Sequence, residues 1–240
     1  MAKIQLTKPL LNKCLTGTHI KWIAMVAMII DHIAISMANQ ESVLYLVMRI
    51  IGRISYPLFA FLAVESFLNT KSLSKYMIGL LVFAVISEVP FNLLWSGKVL
   101  YPECQNILWT LLLGIGGVSF YKRFEAKKLR LPGFVIMFVM AVAAVFARVD
   151  YNIAGVLMIG VIYLFRKAPI ARDIAFAIVA FAFTGIASGC AALVALIPMH
   201  LYNGERGKLY VHKYAYYAFY PAHMLLLFGI ASLAGSAAIG

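Results

Sequence analysis

Charged residues are scarce in this chain, and acidic residues are scarcer still. Of the 240 residues only 12% are charged, with 9 acidic against 21 basic side chains, whereas soluble proteins carry roughly 25%. Hydrophobic residues make up 63% of the chain, and the mean hydropathy is +0.90. This composition excludes a water-soluble globule and indicates one integral membrane domain spanning residues 1–240.

Cysteine is also rare, and the basic residues form no stripe. Cys14, Cys104 and Cys190 lie far apart, without the CxxC or metal-ligand spacing of a metal site. We interpret each as a small apolar side chain. The net charge of +12 comes from Lys and Arg in short segments between apolar runs, so nucleic-acid binding is not expected.

Apolar runs of membrane length, by contrast, are abundant. Eight of them reach the length of a spanning helix, and none shows the short alternating pattern of a membrane barrel. The sequence therefore predicts an all-α, polytopic transmembrane bundle of about eight spans. The runs lie at 20–38, 43–68, 75–95, 105–121, 132–148, 151–165, 174–199 and 215–236.

The seventh run and the loop charges together determine the expected orientation. Ser188-Gly189 could divide 174–199 into two helices, but each half is short for a span, so we expect one. Fourteen Lys and Arg then lie on one side of the membrane and five on the other. Positively charged loops remain in the cytoplasm, which predicts that both termini are cytoplasmic. If the run divides, the segment after it moves to the cytoplasm.

Asp31 and His32 stand together inside the first apolar run. An Asp at membrane depth costs roughly 2.5–3.5 kcal/mol, so such a pair is a functional-site hypothesis. If the Asp31 carboxylate accepted a hydrogen bond from one imidazole N–H, it would fix the His32 tautomer and raise the basicity of the other nitrogen. Adjacent helical residues point about 100° apart, so pairing of Asp31 with an arginine of the next span is the alternative. His32 is interpreted as catalytic or proton-handling rather than as a packing histidine.

Other polar residues fall at a similar depth, which indicates one polar cavity in the outer half of the bundle. Arg49 and Arg53 share a helix face, and their alternative role is to neutralise buried carboxylates. Lys21 is not at this depth: it lies at the cytoplasmic mouth, eleven residues before His32 on the same face and roughly 16 Å away along the axis, where it either attracts an anionic donor or only snorkels. The remaining members of this set are Glu88, Asn92, Asn106, Thr110, Asp150, Tyr151, Tyr202, Asn203, Glu205, Arg206, Tyr220 and His223.

Several strings of the chain resemble the TraX family, in order and over nearly the whole length. The resemblance is carried by residues 20–32, by 49–61 (RIIGRISYPLFAF), by 86–92 (ISEVPFN), by 201–207 (LYNGERG) and by 217–223 (YAFYPAH). TraX proteins are polytopic proteins of the bacterial inner membrane associated with N-terminal acetylation of conjugative pilin. The first span also resembles that of acyltransferase-3-type enzymes, with Lys21 where those have Arg.

The resemblance implies a membrane-bound acetyltransferase that uses cytoplasmic acetyl-CoA as donor, with no permanently bound cofactor or metal. His32 would be the general base, with Asp31 or Glu88 orienting it. Arg49 and Arg53 would bind donor phosphate or stabilise the oxyanion. Contacts to donor or acceptor are expected from Lys21, Asn92, Asn106, Arg206 and Tyr220. The acceptor would be an amine or hydroxyl, on a pilin-like N-terminus or a surface glycan.

Two other classes of function remain open at this point. Buried Asp31, His32 and Glu88 are also typical of the proton relay of a coupled transporter. A non-enzymatic membrane scaffold for pilus assembly is the third reading, in which these residues affect only stability or partner capture.

Overall fold

The structure is a computed structural model that describes residues 13–208 and 213–235. The described residues form ten helices and no strand, apart from two isolated bridges. The helices are α1 (Gly17–Met37), α2 (Val43–Gly52), α3 (Ser55–Asn69), α4 (Leu73–Ser96), α5 (Ile107–Ala126), α6 (Arg130–Phe146), α7 (Asn152–Leu164), α8 (Pro169–Val194), α9 (Leu196–His200) and α10 (Lys213–Leu233).

Each of the eight apolar runs coincides with helical structure, which confirms the predicted all-α bundle. Helices α2 and α3 follow one another as a single apolar rod with a bend at Arg53–Ile54. Among the described residues, five helical segments reach membrane length by length and composition alone, with the segment 169–200 counted as one despite its turn, whereas α6 and α7 are shorter. The five are Gly17–Met37, Val43–Asn69, Leu73–Ser96, Pro169–His200 and Ala215–Leu233.

Residues 169–200 do not form one span, so that expectation is wrong. Gly185 has φ 77° and ψ 174°, a conformation that side-chain-bearing residues rarely adopt, and the chain reverses there. Gly189 then packs against Phe181, so closely that a Cβ would lie 2.7 Å from the ring. Farther from the turn, His200 bonds to Asp173 across the two arms. We call residues 169–200 the helical hairpin; its two arms are short because they pair with each other.

The hairpin adds one more crossing and so changes the orientation of the end of the chain. Residues 201–206 return to the start of α1, where the Leu15 amide donates to the Leu201 carbonyl at 2.9 Å. Helix α10 then runs parallel to α1, since Trp22 meets Tyr216 early in both helices and His32 meets His223 later. The start of α1 and the end of α10 therefore lie at opposite ends of the bundle, while the two termini lie outside the described residues.

The two ends of the bundle differ in charge. The hairpin brings Arg206 and Lys208 to the end where α1 begins, and Lys98 and Arg148 are the basic loop residues at the other end in the described ranges. The basic face is the end formed by residues 13–16, 70–72, 127–129, 165–168 and 201–208. The opposite face is formed by residues 38–42, 97–106 and 147–151.

The lateral surface is apolar, as a lipid environment requires. Leu233, Phe146 and Ile170 are 91%, 82% and 76% exposed on the outside of the helices. The interior contains large buried side chains such as Tyr56 and Phe176. An apolar outside around an apolar core is the pattern of a membrane protein, because lipid rather than water covers such a surface.

Candidate functional site

His32 pairs with a second histidine rather than with Asp31. Its Nδ1 lies 2.7 Å from Nε2 of His223 on α10, and the two rings stack with centroids 5.0 Å apart. Both side chains are buried, with relative exposures of 8% and 7%. The backbone carbonyl of His32 also accepts a hydrogen bond from Ser36 Oγ at 2.8 Å. The site therefore contains a histidine pair that joins α1 to α10.

The hydrogen-bond partners determine the tautomers of this pair. Nδ1 of His223 lies 2.8 Å from the Phe219 carbonyl, which only accepts, so this nitrogen carries a hydrogen. In neutral His223, Nε2 is then the acceptor, and Nδ1 of His32 must donate to it. In neutral His32 the hydrogen is then on Nδ1, and Nε2 is unprotonated. This arrangement leaves His32 with a free lone pair, as a general base requires.

Asp31 instead pairs with the next helix, which is the alternative weighed from the sequence. Its Oδ2 accepts from Arg49 at 2.8 Å, and the side chains are 17% and 16% exposed. The carboxylate lies directly over Gly52, where an added Cβ would be only 2.1 Å from Oδ1. Asp31 and Arg49 thus join α1 to α2 and do not orient the His32 ring.

A cavity of about 520 Å³ opens between α1, α3, α4, α5 and α10. At its basic-face mouth are Lys21 and Arg206, which lie within electrostatic range of each other. Lys21 Nζ also sits 4.3 Å above the Tyr216 ring. The inner end of the cavity is lined by Met28, Phe219 and Tyr220, which lie about one helical turn from the histidine pair. We call this the basic-face cavity.

The face of α1 that lines this cavity continues to the histidine pair. Lys21, Met25 and Met28 line the cavity, and His32 follows at the next position of the same stripe. Lys21 and His32, predicted to share a face of α1, therefore lie on the same stripe, of which Lys21, Met25 and Met28 line the cavity and His32 lies one turn beyond. Arg206, expected in the outer-half polar set, lines this cavity at the basic face instead, because the hairpin returns the chain to the start of α1.

The predicted polar residues of α4 and α5 form a separate cluster. Asn106 donates to Glu88 Oε2 and to the Ala84 carbonyl, and Trp109 Nε1 donates to the same Glu88 oxygen at 3.0 Å. Asn92 donates to the Val99 carbonyl at 3.0 Å. These contacts hold α4 to α5 and to the loop that follows α4, and no hydrogen bond between described residues joins them to His32.

A second cavity, of about 460 Å³, opens on the opposite face beside the tip of the helical hairpin. Arg53, Asp150 and Tyr151 line one side of it, and Thr184 and Ser188 of the hairpin line the other. Burial raises the pKa of Asp150 to about 6, while the Arg53 guanidinium acts to lower it. We call this the opposite-face cavity. Neither Arg49 nor Arg53 lines the basic-face cavity, so neither is placed to bind a donor phosphate there.

Two of the buried polar groups were assigned no role in the sequence analysis. His223 is 191 residues from its partner, and only a histidine within the apolar run 215–236 hinted at it. Thr110 donates to the backbone carbonyl of Asp150 and so holds the α6–α7 connection.

Cys104, in the loop before α5, is not a candidate nucleophile. Burial raises the pKa of its thiol to about 12, so the thiol is not a thiolate at neutral pH.

The chain is similar to known proteins over nearly its whole length. The family model described as TraX protein matches residues 16–231. The chain is 28% identical over 231 residues to a protein of Dichelobacter nodosus described as a probable fimbrial assembly protein FimC of serogroup H1. That alignment covers 87% of this chain and 92% of the relative. No solved structure matches the chain.

Proposed function

The chain belongs to the TraX family, and on this premise we propose that it is a membrane acetyltransferase. It takes the acetyl group from acetyl-CoA at the basic face and transfers it to an amine or hydroxyl acceptor reached from the opposite face. The observation that carries the proposal is one face of α1, which has Lys21 at the cationic mouth, Met25 and Met28 in the cavity lining and the His32–His223 pair one turn beyond Met28. We place the basic face in the cytoplasm of a bacterial inner membrane because basic loops are retained there.

The basic-face cavity suits a long donor with an anionic head and an apolar reactive end. Lys21 and Arg206 provide two positive charges at the mouth for the phosphates of CoA. Glu65 is also at this mouth, where it interacts with the Tyr202 hydroxyl. Farther in, Met25, Leu80 and Leu111 form an apolar shaft for the pantetheine arm and thioester. Lys21 and His32 are separated by roughly 16 Å along the helix, a distance that such an arm can span.

The histidine pair supplies the proton transfers of the reaction. Nε2 of His32 accepts the proton of the acceptor nitrogen or oxygen as that atom attacks the thioester carbonyl carbon. The tetrahedral intermediate collapses with cleavage of the C–S bond, and the imidazolium returns the proton to the departing CoA thiolate. His223 stabilises the positive charge on His32, because its Nε2 accepts the Nδ1 hydrogen. Asp31 acts only indirectly, by holding α1 and Arg49 together.

The contacts favour this enzyme over a proton relay through Asp31, His32 and Glu88. Asp31 is engaged by Arg49, and Glu88 by Asn106 and Trp109. No hydrogen bonds among the described residues connect the three groups into a chain.

The proposal is tested with purified protein in lipid nanodiscs, supplied with acetyl-CoA and a short peptide that has a free N-terminus. His32→Ala should lower the rate of acetyl transfer about 10²- to 10⁴-fold, the usual contribution of a general base. Leu225→Ala, on the exposed surface of α10, is the control and should retain activity. Full activity of folded His32→Ala protein would exclude His32 as the base, and flux of a solute without any acetylated product would favour a transporter.

A further inference from the structure

Tyr220 lies between the basic-face cavity and the histidine pair. It lines the inner end of the cavity, and its side chain is buried, with a relative exposure of 7%. Its ring centroid is 6.5 Å from that of His32 and 5.9 Å from that of His223. Phe219 also lines the cavity and stacks on His223, but its side chain has no polar atom. A polar group beside the base therefore reaches the cavity wall at Tyr220.

The amino end of α5 faces the Tyr220 hydroxyl. Ile107 and Leu108, the first two residues of α5, line the same cavity. The Leu108 amide donates to the Asn106 side chain at 3.1 Å, whereas the Ile107 amide interacts with the Tyr220 hydroxyl. Amides of a first helical turn have no partner within the helix, and together they carry partial positive charge. They polarise the hydroxyl oxygen, and its hydrogen is left for another acceptor.

Two carboxylates lie within electrostatic range of this hydroxyl, and other groups already compensate both. Oε2 of Glu88 accepts from Asn106 and from Trp109, and Oε1 has no hydrogen-bond partner among the described residues. The charge of Asp150 is balanced by the nearby Arg53 guanidinium. Neither carboxylate therefore depends on the Tyr220 hydrogen for its stability.

Acetyl transfer requires a hydrogen-bond donor at the inner end of the cavity. As the acceptor attacks, the carbonyl π electrons move to the thioester oxygen, which becomes an oxyanion, and they return when the C–S bond breaks. Arg49 and Arg53, which were predicted for this role, do not line the basic-face cavity. The neighbours of Tyr220 in the lining have side chains that cannot donate, namely Met28, Ile107, Leu108 and Phe219.

We propose that Tyr220 is a catalytic residue whose hydroxyl donates a hydrogen bond to the oxyanion, with the amino end of α5 behind it. This inference rests on the proposed function, because it names the oxyanion donor of that transfer. Tyr220 keeps its proton throughout, while His32 takes the proton of the acceptor. A donor directed at charge that develops only in the transition state raises kcat rather than the affinity for acetyl-CoA.

The kinetic test is Tyr220→Phe, which keeps the ring and removes only the hydroxyl. In nanodiscs kcat should fall about 10²- to 10³-fold, the usual cost of losing one oxyanion donor, while KM for acetyl-CoA should stay near its original value. Tyr163→Phe is the matched control, because Tyr163 is a buried tyrosine of α7 that lines neither cavity, and it should retain both constants. Undiminished kcat in folded Tyr220→Phe would overturn the proposal.

Binding of two CoA analogues separates this role from the proposed function. S-ethyl-CoA has no carbonyl oxygen, whereas a methylphosphonyl thioester of CoA presents a tetrahedral anion in place of the intermediate. By isothermal titration the unaltered protein should bind the phosphonyl analogue at least about tenfold more tightly than S-ethyl-CoA. Tyr220→Phe should lose that preference and still bind S-ethyl-CoA normally, which also shows that it is folded.

The same titrations show which idea fails. An equal preference for the phosphonyl analogue in the unaltered protein and in Tyr220→Phe would overturn the role of Tyr220 and leave the proposed function intact. Failure of the unaltered protein to bind either analogue would refute the donor site itself, and the assignment of Tyr220 with it. Neither titration requires an acceptor or turnover, so both are independent of the His32→Ala assay.

Discussion

Replacement of His223 by alanine removes the acceptor for the Nδ1 hydrogen of His32. The ring of His32 is buried, and His223 Nε2 at 2.7 Å is the hydrogen-bond partner of that nitrogen. In the variant the imidazole keeps a buried, unpaired N–H or changes to the other tautomer, in which Nε2 carries the hydrogen and is no longer a base. The change therefore lowers activity through His32, although residue 223 touches neither substrate.

The magnitude follows from the cost of the lost contact. A buried donor left without its partner costs about 1–3 kcal/mol. At 1.36 kcal/mol per tenfold change in rate, this corresponds to a roughly 5- to 150-fold decrease in kcat. His223→Gln should recover most of that loss, because its side-chain carbonyl oxygen takes the place of the Nε2 acceptor.

The assay is steady-state acetyl transfer in nanodiscs at varied acetyl-CoA concentration. Because His223 does not line the basic-face cavity, kcat should fall while KM for acetyl-CoA remains unchanged. Leu225→Ala, on the exposed surface of the same helix, should leave both constants near their original values. Unchanged kcat in His223→Ala, or an equal loss in the glutamine variant when both are folded, would refute the assigned tautomer and the positioning role.

Two further predictions concern the packing and orientation of the helices. Arg49→Ala should destabilise the protein by about 3–5 kcal/mol, because it leaves Asp31 buried without its partner. In a thermal melt the double variant Asp31→Asn, Arg49→Gln should lose much less stability than Arg49→Ala. Equal losses in the two variants would show that the Asp31–Arg49 ion pair does not account for the effect. In cysteine-free protein in spheroplasts, an impermeant thiol reagent should label Lys98→Cys directly but Lys208→Cys only after permeabilisation. Labelling of both in intact spheroplasts would contradict the helical hairpin and the orientation of the basic face.

The positions of the helices could be predicted from local sequence. A run of about 20 apolar residues is a helix in a membrane because no other structure satisfies its backbone there. The important polar residues could also be found, since a charge within such a run is costly and stands out. Asp31 and His32 were identified in this way, and so was the face that joins Lys21 to His32.

Which side chains pair between helices could not be predicted from local sequence. Asp31 lies beside His32 in sequence but faces Arg49, and the helical twist of about 100° between neighbours allowed either pairing. His32 bonds to His223 only because α10 runs parallel to α1. No local pattern encodes a contact between residues 191 positions apart.

Composition alone determined that this is a helical membrane protein, because charges too few for a water-exposed surface and runs too apolar for loops permit little else. The number of crossings was decided by the tertiary structure at a single glycine. Gly185 adopts a positive φ and turns one apparent span into two paired arms. Hydropathy measures only how apolar a segment is, and the segment is apolar on both sides of Gly185. The direction in which α10 crosses the bundle therefore depends on a backbone reversal that hydropathy does not detect.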